Sequence, residues 1–244
     1  MSKTMRRTIR KYTDKPVEET LLSRLFEQAA RTQTMGNLQL YSVIVTRDAD
    51  KKRQLAPLHF HQPMVEQAPV VLTFCADFHR TTRWAEERQA HPGYDNPLSF
   101  LNAATDALLF CQRFCDLAEQ AGLGLCFLGT TIYQPQGVID VLELPKLTFP
   151  VATITLGWPD EEPQLTDRLP STAYVHSETY QPCTKSFIDQ NYAAKEALAE
   201  NQEFVKINQK ETLAQVFTDC RYTRADNEAL SEVLLKTLAQ QGFF

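Results

Sequence analysis

Four cationic side chains stand close together near the start of the chain: Arg6, Arg7, Arg10 and Lys11, in the stretch Arg6-Arg7-Thr8-Ile9-Arg10-Lys11-Tyr12. The whole chain carries a formal charge of -5, so this cluster runs against the global balance. A guanidinium is a planar fork of donors that matches phosphate oxygens, and Thr8 adds a hydroxyl among them. On its own the stretch is either a grip for one bound anion or a solvated basic segment.

The other reactive side chains are sparse. No Ser-His-Asp, Cys-His or paired-carboxylate pattern stands out, so the chain offers no nucleophile with an attendant base. His59 and His61 could suggest a metal, but nothing else supports one, and both read as exposed loop histidines. The six cysteines form no CxxC pair. Cys111 and Cys115 share a helix face, but no second pair completes a zinc site. Buried free thiols in a reducing cytoplasm are the reading of that pattern. The acidic balance argues against nonspecific nucleic-acid binding. No apolar run is long enough for a membrane span, and the Arg-rich start does not resemble a signal peptide.

At 244 residues and 43% hydrophobic, the chain is long and apolar enough to bury a sizeable core. Residues 17–31 place Leu21, Leu22, Leu25, Phe26 and Ala29 on one helical stripe. A polar turn over 32–39 precedes a strand at 40–46, and helical text follows at 48–56. Residues 69–76 form a continuous apolar run, the signature of a strand buried on both faces. A helix and a flexible excursion occupy 79–100. Residues 98–121 form one long helix, apolar nearly all round, which belongs in a core or at a subunit interface. A strand at 123–129 ends in glycine; a helix at 135–143 and a strand at 150–156 follow. Residues 160–185 look irregular, and helices at about 186–210 and 226–241 form a C-terminal tail. The expected fold is α+β: one domain over 1–244, with a central, mostly antiparallel sheet of four to five strands flanked by helices.

Five segments, in order, resemble the FMN-dependent nitroreductase superfamily, most closely its oxygen-insensitive NADPH nitroreductase and flavin reductase branch. The Arg6–Tyr12 stretch is similar to the family's R-x-S-x-R-x-F pattern. By that resemblance Arg6 and Thr8 hold the FMN phosphate, and Arg10 faces the pyrimidine edge of the ring. Thr34-Met35-Gly36-Asn37-Leu38-Gln39 is similar to a turn that meets the cofactor, often from the partner subunit, which implicates Thr34, Met35 and Asn37. Gln62, before the buried strand, matches a flavin-bonding Gln of the branch. Gly122–Thr130 looks like the branch's glycine-rich strand, which places Leu128, Gly129 and Thr130 at the flavin, with a backbone N–H facing N5. Gly157-Trp158-Pro159 followed by Thr166-Asp167-Arg168 looks like the turn and basic pair that complete the phosphate site. Arg168 matches the second cation, but Thr166 stands where the family has Lys; Arg7 could compensate.

The resemblance implies an enzyme that passes hydride from NAD(P)H through FMN to nitroaromatic, quinone or flavin acceptors by a ping-pong cycle. It further implies a cytoplasmic homodimer with FMN at the interface, no metal and no nucleic-acid or membrane partner, and a lid formed by the excursion near 79–100. Only five residues precede Arg6, so by the resemblance the family's helix before the Arg motif is expected to be shortened or missing. The competing reading on the same fold is a non-catalytic FMN carrier or sensor.

Overall fold

Leu22, Leu25 and Ala29 recur at three- and four-residue spacing, and they form the buried face of helix α1 (Glu19–Ala29) in the computed structural model, which describes residues 5–244. The shortened start expected above concerns positions before Arg6, of which residues 1–4 lie outside the described residues. The chain divides into two compact units: one through Gln164 together with Glu232–Phe244, the other Leu165–Ser231.

The first unit is built on one four-stranded, wholly antiparallel sheet in the order β1-β2-β4-β3. Its strands are β1 (Tyr41–Thr46), β2 (Val70–Asp77), β3 (Gly124–Leu128) and β4 (Thr148–Gly157). Every residue of β2 is buried, as its unbroken apolar run requires of a central strand. Side chains alternate between the two faces. Val70, Leu72 and Phe74 of β2 and Ala152, Ile154 and Leu156 of β4 pack with α1 and the long helix α5 (Pro97–Gln120). The other face packs Val71, Cys126 and Leu128 against α2 (Ala49–Leu55), α3 (Pro63–Gln67) and α6 (Pro135–Leu142). Between β2 and α5 lies α4 (His79–Glu86), followed by an irregular stretch to Asn96, whose side chain caps α5. At the end of the chain Leu238 and Phe243 are buried with Leu40, Ala76 and Phe149.

The second unit holds α7 (Lys185–Glu196), α8 (Ala199–Ile207) and the short turn α9 (Leu213–Gln215), which leads into a π-helical turn over Val216–Arg221. Helix α10 (Arg224–Gln241) contributes residues to both units. The single helix expected over 186–210 is therefore two, broken at Ala197-Leu198. The helix α3 inside the stretch before β2 was not foreseen. Four cysteines are buried as expected; Cys183 and Cys220 are exposed. No helix among the described residues is long and apolar enough to cross a membrane.

Candidate functional site

The basic N-terminal segment is an arm laid along β3. A Cβ at Gly124 would stand 2.7 Å from the Ile9 side chain, so only glycine lets the arm lie this close. Ile9 N donates to Leu125 O at 3.0 Å. The Tyr12 hydroxyl lies 2.7 Å from both Ile9 O and Thr155 Oγ1, and Tyr12 bridges to Pro159. Burial raises the Tyr12 pKa, which keeps it a neutral phenol. The Glu161 carboxylate accepts from Arg10 N at 2.5 Å and from Lys11 N at 3.0 Å.

This anchoring sorts the arginines. The charges of Arg10 and Arg6 both act on Cys126 of β3, although burial outweighs them and pushes that thiol up. Arg6 also lies 3.5 Å from Glu119, whose pKa burial raises against the pull of Arg6. Arg7 points elsewhere: its Nη1 donates to Glu162 at 2.6 Å, and its Nε is buried without a partner. Arg7 is thus paired with a carboxylate, as Arg6 is with Glu119. Thr8 is half-buried.

Three residues beyond Cys126, about 10 Å at strand rise, the chain turns at Gly129. Leu128 is 1% exposed, so only its backbone can face a ligand. Gly129 is exposed, and a Cβ there would meet nothing within 4 Å. Neither its packing nor a left-handed backbone demands glycine at this position. Thr130 Oγ1 lies 2.8 Å from His59 Nδ1. The carbonyl of His59 accepts from the Gln62 side-chain nitrogen at 3.1 Å. His59 is wholly buried, contrary to the exposed loop position expected for it, and burial lowers its pKa to about 4. His61 is exposed. Arg6, Arg10, Gln62, Leu128, Gly129 and Thr130 therefore gather along one strand and the turn at its end.

Thr34, Met35 and Asn37 form a second group, in a 3-10 turn before β1. Its organiser is Asp106 of α5, a buried carboxylate that the sequence patterns above do not single out. It accepts from the Thr34 hydroxyl, from Met35 N at 2.8 Å and from Leu40 N at 3.1 Å. Gly36, Asn37 and Gln39 all take left-handed backbone, so the turn is tightly wound. Met35 and Asn37 are exposed. Asn37 also lines a cavity of about 230 Å³ with Leu38, Arg80, Thr81 and Trp84. The sequence signal for Asp106 was a lone acid in the middle of an apolar helix.

The two groups stand at opposite edges of the sheet, three strand spacings or about 14 Å apart. No hydrogen bond or ion pair among the described residues joins them. Arg168 belongs to the second unit, where its Nη1 donates to Thr166 Oγ1 at 2.7 Å and to Asp167 O at 2.8 Å; Asp167 in turn pairs with Lys195 at 2.8 Å.

Comparison with known proteins places this geometry in context. The sequence model of the nitroreductase family matches residues 4–158. FMN reductase [NAD(P)H] of Bacillus subtilis is 36% identical over 181 residues, 73% of either chain. Oxygen-insensitive NADPH nitroreductase of Salmonella typhimurium is 33% identical over 182 residues, 75% of this chain and 74% of that one. A crystal structure from Bacteroides fragilis superposes with a TM-score of 0.96 at 58% identity, covering 98% of this chain and 97% of that one.

Proposed function

The chain belongs to the nitroreductase family, and from that membership we propose that it is an FMN-dependent oxidoreductase, drawing hydride from NAD(P)H and reducing nitroaromatic, quinone or flavin acceptors in a ping-pong cycle. The observation that carries the reading is the layout of β3. The basic arm that carries Arg6 and Arg10 is hydrogen-bonded to it through Ile9 N, and an exposed glycine with no internal reason to be glycine follows its end. Such a strand fits a long anionic cofactor with one flat face. When bound, FMN supplies the centre that accepts a hydride and returns two electrons to the acceptor.

The residues of the chain bind and bias that centre. Arg6 and Thr8 hold the phosphate. Arg10, on a backbone clamped by Glu161, keeps a positive charge beside the ring edge where reduction builds negative charge. Gln62 bonds the ring, and the Gly129-Thr130 backbone lies against its face. Thr34, Met35 and Asn37 complete the site from a second copy of the chain. The exposed Leu98, Leu101, Leu108 and Leu109 on α5 support such a homodimer. Helix α4, with Trp84 60% exposed, borders the face that takes nucleotide and acceptor. Arg168 has its part in the phosphate site only from the family pattern, and Arg168→Ala in an FMN titration tests it. Free thiols and the use of NAD(P)H support a cytoplasmic setting for this reading.

Visible spectroscopy tests the reading. The purified protein should show the flavin band and lose it on anaerobic addition of NADH or NADPH, then regain it with a quinone. A colourless protein that refuses added FMN would end the proposal. A yellow protein that no reduced nucleotide bleaches is the carrier instead.

A further inference from the structure

We propose that His59 is a positioning residue that ties the Gln62 turn to the Gly129-Thr130 turn, setting both flavin-facing segments with one buried side chain. The inference rests on the cofactor reading above and concerns a residue that touches no ligand itself.

The geometry is specific. His59 is 0% exposed, at the end of a 3-10 turn over Ala56–His59. Its ring reaches Thr130 Oγ1 at 2.8 Å, across 71 positions of sequence. Its carbonyl takes both the backbone N–H of Gln62, at 3.2 Å, and the Gln62 side chain, at 3.1 Å. His59 therefore holds two of the residues assigned to the flavin, Thr130 through the imidazole and Gln62 through the peptide.

The connection is costly in two ways. Phe60 and His61, which close the turn between His59 and Gln62, both take left-handed backbone, at φ 54° and 53°, and neither is glycine. Phe60 is 54% exposed, so its own burial does not force the turn. In addition, His59 Nε2 is buried without a hydrogen-bond partner. A leucine in the same pocket would remove that orphaned nitrogen, but it would also lose the bond to Thr130 Oγ1. Strain at Phe60 and His61 beside an orphaned nitrogen on His59 points to a required placement rather than to packing. A neutral imidazole suits the task, because its two nitrogens are one donor and one acceptor and the Thr130 hydroxyl can match either. With the hydroxyl held, Thr130 has its backbone orientation fixed at the turn.

A double-mutant cycle tests this with FMN affinity and the midpoint potential of bound FMN as readouts. His59→Leu and Thr130→Val should each weaken FMN about tenfold and move the potential in the same direction. The double variant should be no worse than the weaker single one, and Thr130→Ser should recover most of the affinity. Effects that multiply in the double variant would overturn the inference, as would a Thr130→Val protein that binds FMN with wild-type affinity and potential. If His59→Leu does not fold, the contrast between Thr130→Val and Thr130→Ser decides alone. A wild type that takes up no FMN sinks the proposed function and this inference together, whereas a wild type that binds FMN with an additive cycle sinks only the role of His59.

Discussion

Gly129 and Gly124 are glycine for opposite reasons. At Gly124 the reason is internal: a Cβ would strike Ile9 and lift the basic arm off β3. At Gly129 the protein itself imposes nothing, since a Cβ would meet open space. Gly129→Val should therefore leave the melting temperature of the FMN-free protein nearly unchanged. It should weaken FMN more than tenfold, over about 1.4 kcal/mol. Isothermal titration beside thermal melts separates the two; a valine variant with wild-type affinity would move the ring away from this turn. His59 gives the residue-scale pH dependence. Burial holds its native pKa at about 4, below the ordinary value near 6.5. Between those values the unfolded chain binds a proton that the native chain refuses, so stability is full above about pH 6.5 and falls as pH drops. From pH 7.5 to pH 5 this one group should cost roughly 2 kcal/mol. Denaturant melts of wild type and His59→Leu at both values check it, and an equal loss in the variant would remove His59 as the source. The arginine cluster was legible as a local run of charge, whereas Gln62 was singled out only through the family resemblance. The burial of His59 was not legible, because its partner Thr130 lies 71 positions away.

At the scale of elements, α5 has two functions. Its inner face buries Phe110, Phe114 and Ala118 against the sheet. Midway along it Asp106 gathers three donors from the turn before β1 and shapes that turn from outside. Charge-assisted bonds are each worth about 1.5–3 kcal/mol, and an amide in place of the carboxylate would set its NH₂ against donors. Asp106→Asn should thus destabilise the chain by about 3 kcal/mol and expose residues 31–40 to protease, read by urea melts and limited digestion. A change under about 0.5 kcal/mol would place the organisation of the turn elsewhere. The helices α1 and α5 and the strand β2 were legible in sequence because long, periodic or unbroken apolar patterns admit one reading. The five-residue α3 was not, since a single helical turn is too short to show a period. The break after α7 also escaped, because Ala197-Leu198 carries no glycine or proline to mark it.

For the whole molecule, the sheet leaves a problem that the single chain does not solve. The basic arm and the Gly129 turn lie at the β3 edge, while the Asp106-held turn lies at the β1 edge. Both groups resemble parts of one cofactor site. The apolar pattern of α5 could not say which of its leucines face a core and which face a partner, since burial of either kind leaves the same period. The fold separates them: Leu98, Leu101 and Leu108 remain exposed on one face at helical spacing, with Leu101 at 60%. The proposed homodimer would use this stripe as its contact face. If a second copy covers it, assembly and cofactor binding are linked, because the ligand then binds only the paired form. Leu101→Glu combined with Leu108→Glu touches no residue of the sheet core. It should give a folded monomer by sedimentation and circular dichroism that has lost FMN by absorbance, and added FMN should shift the wild type, but not this variant, towards the dimer at low concentration. A charged-stripe variant that stays dimeric would place the interface on another face. A monomer that binds FMN as the wild type does would mean that one chain supplies the whole site, and the turn held by Asp106 would then need another purpose.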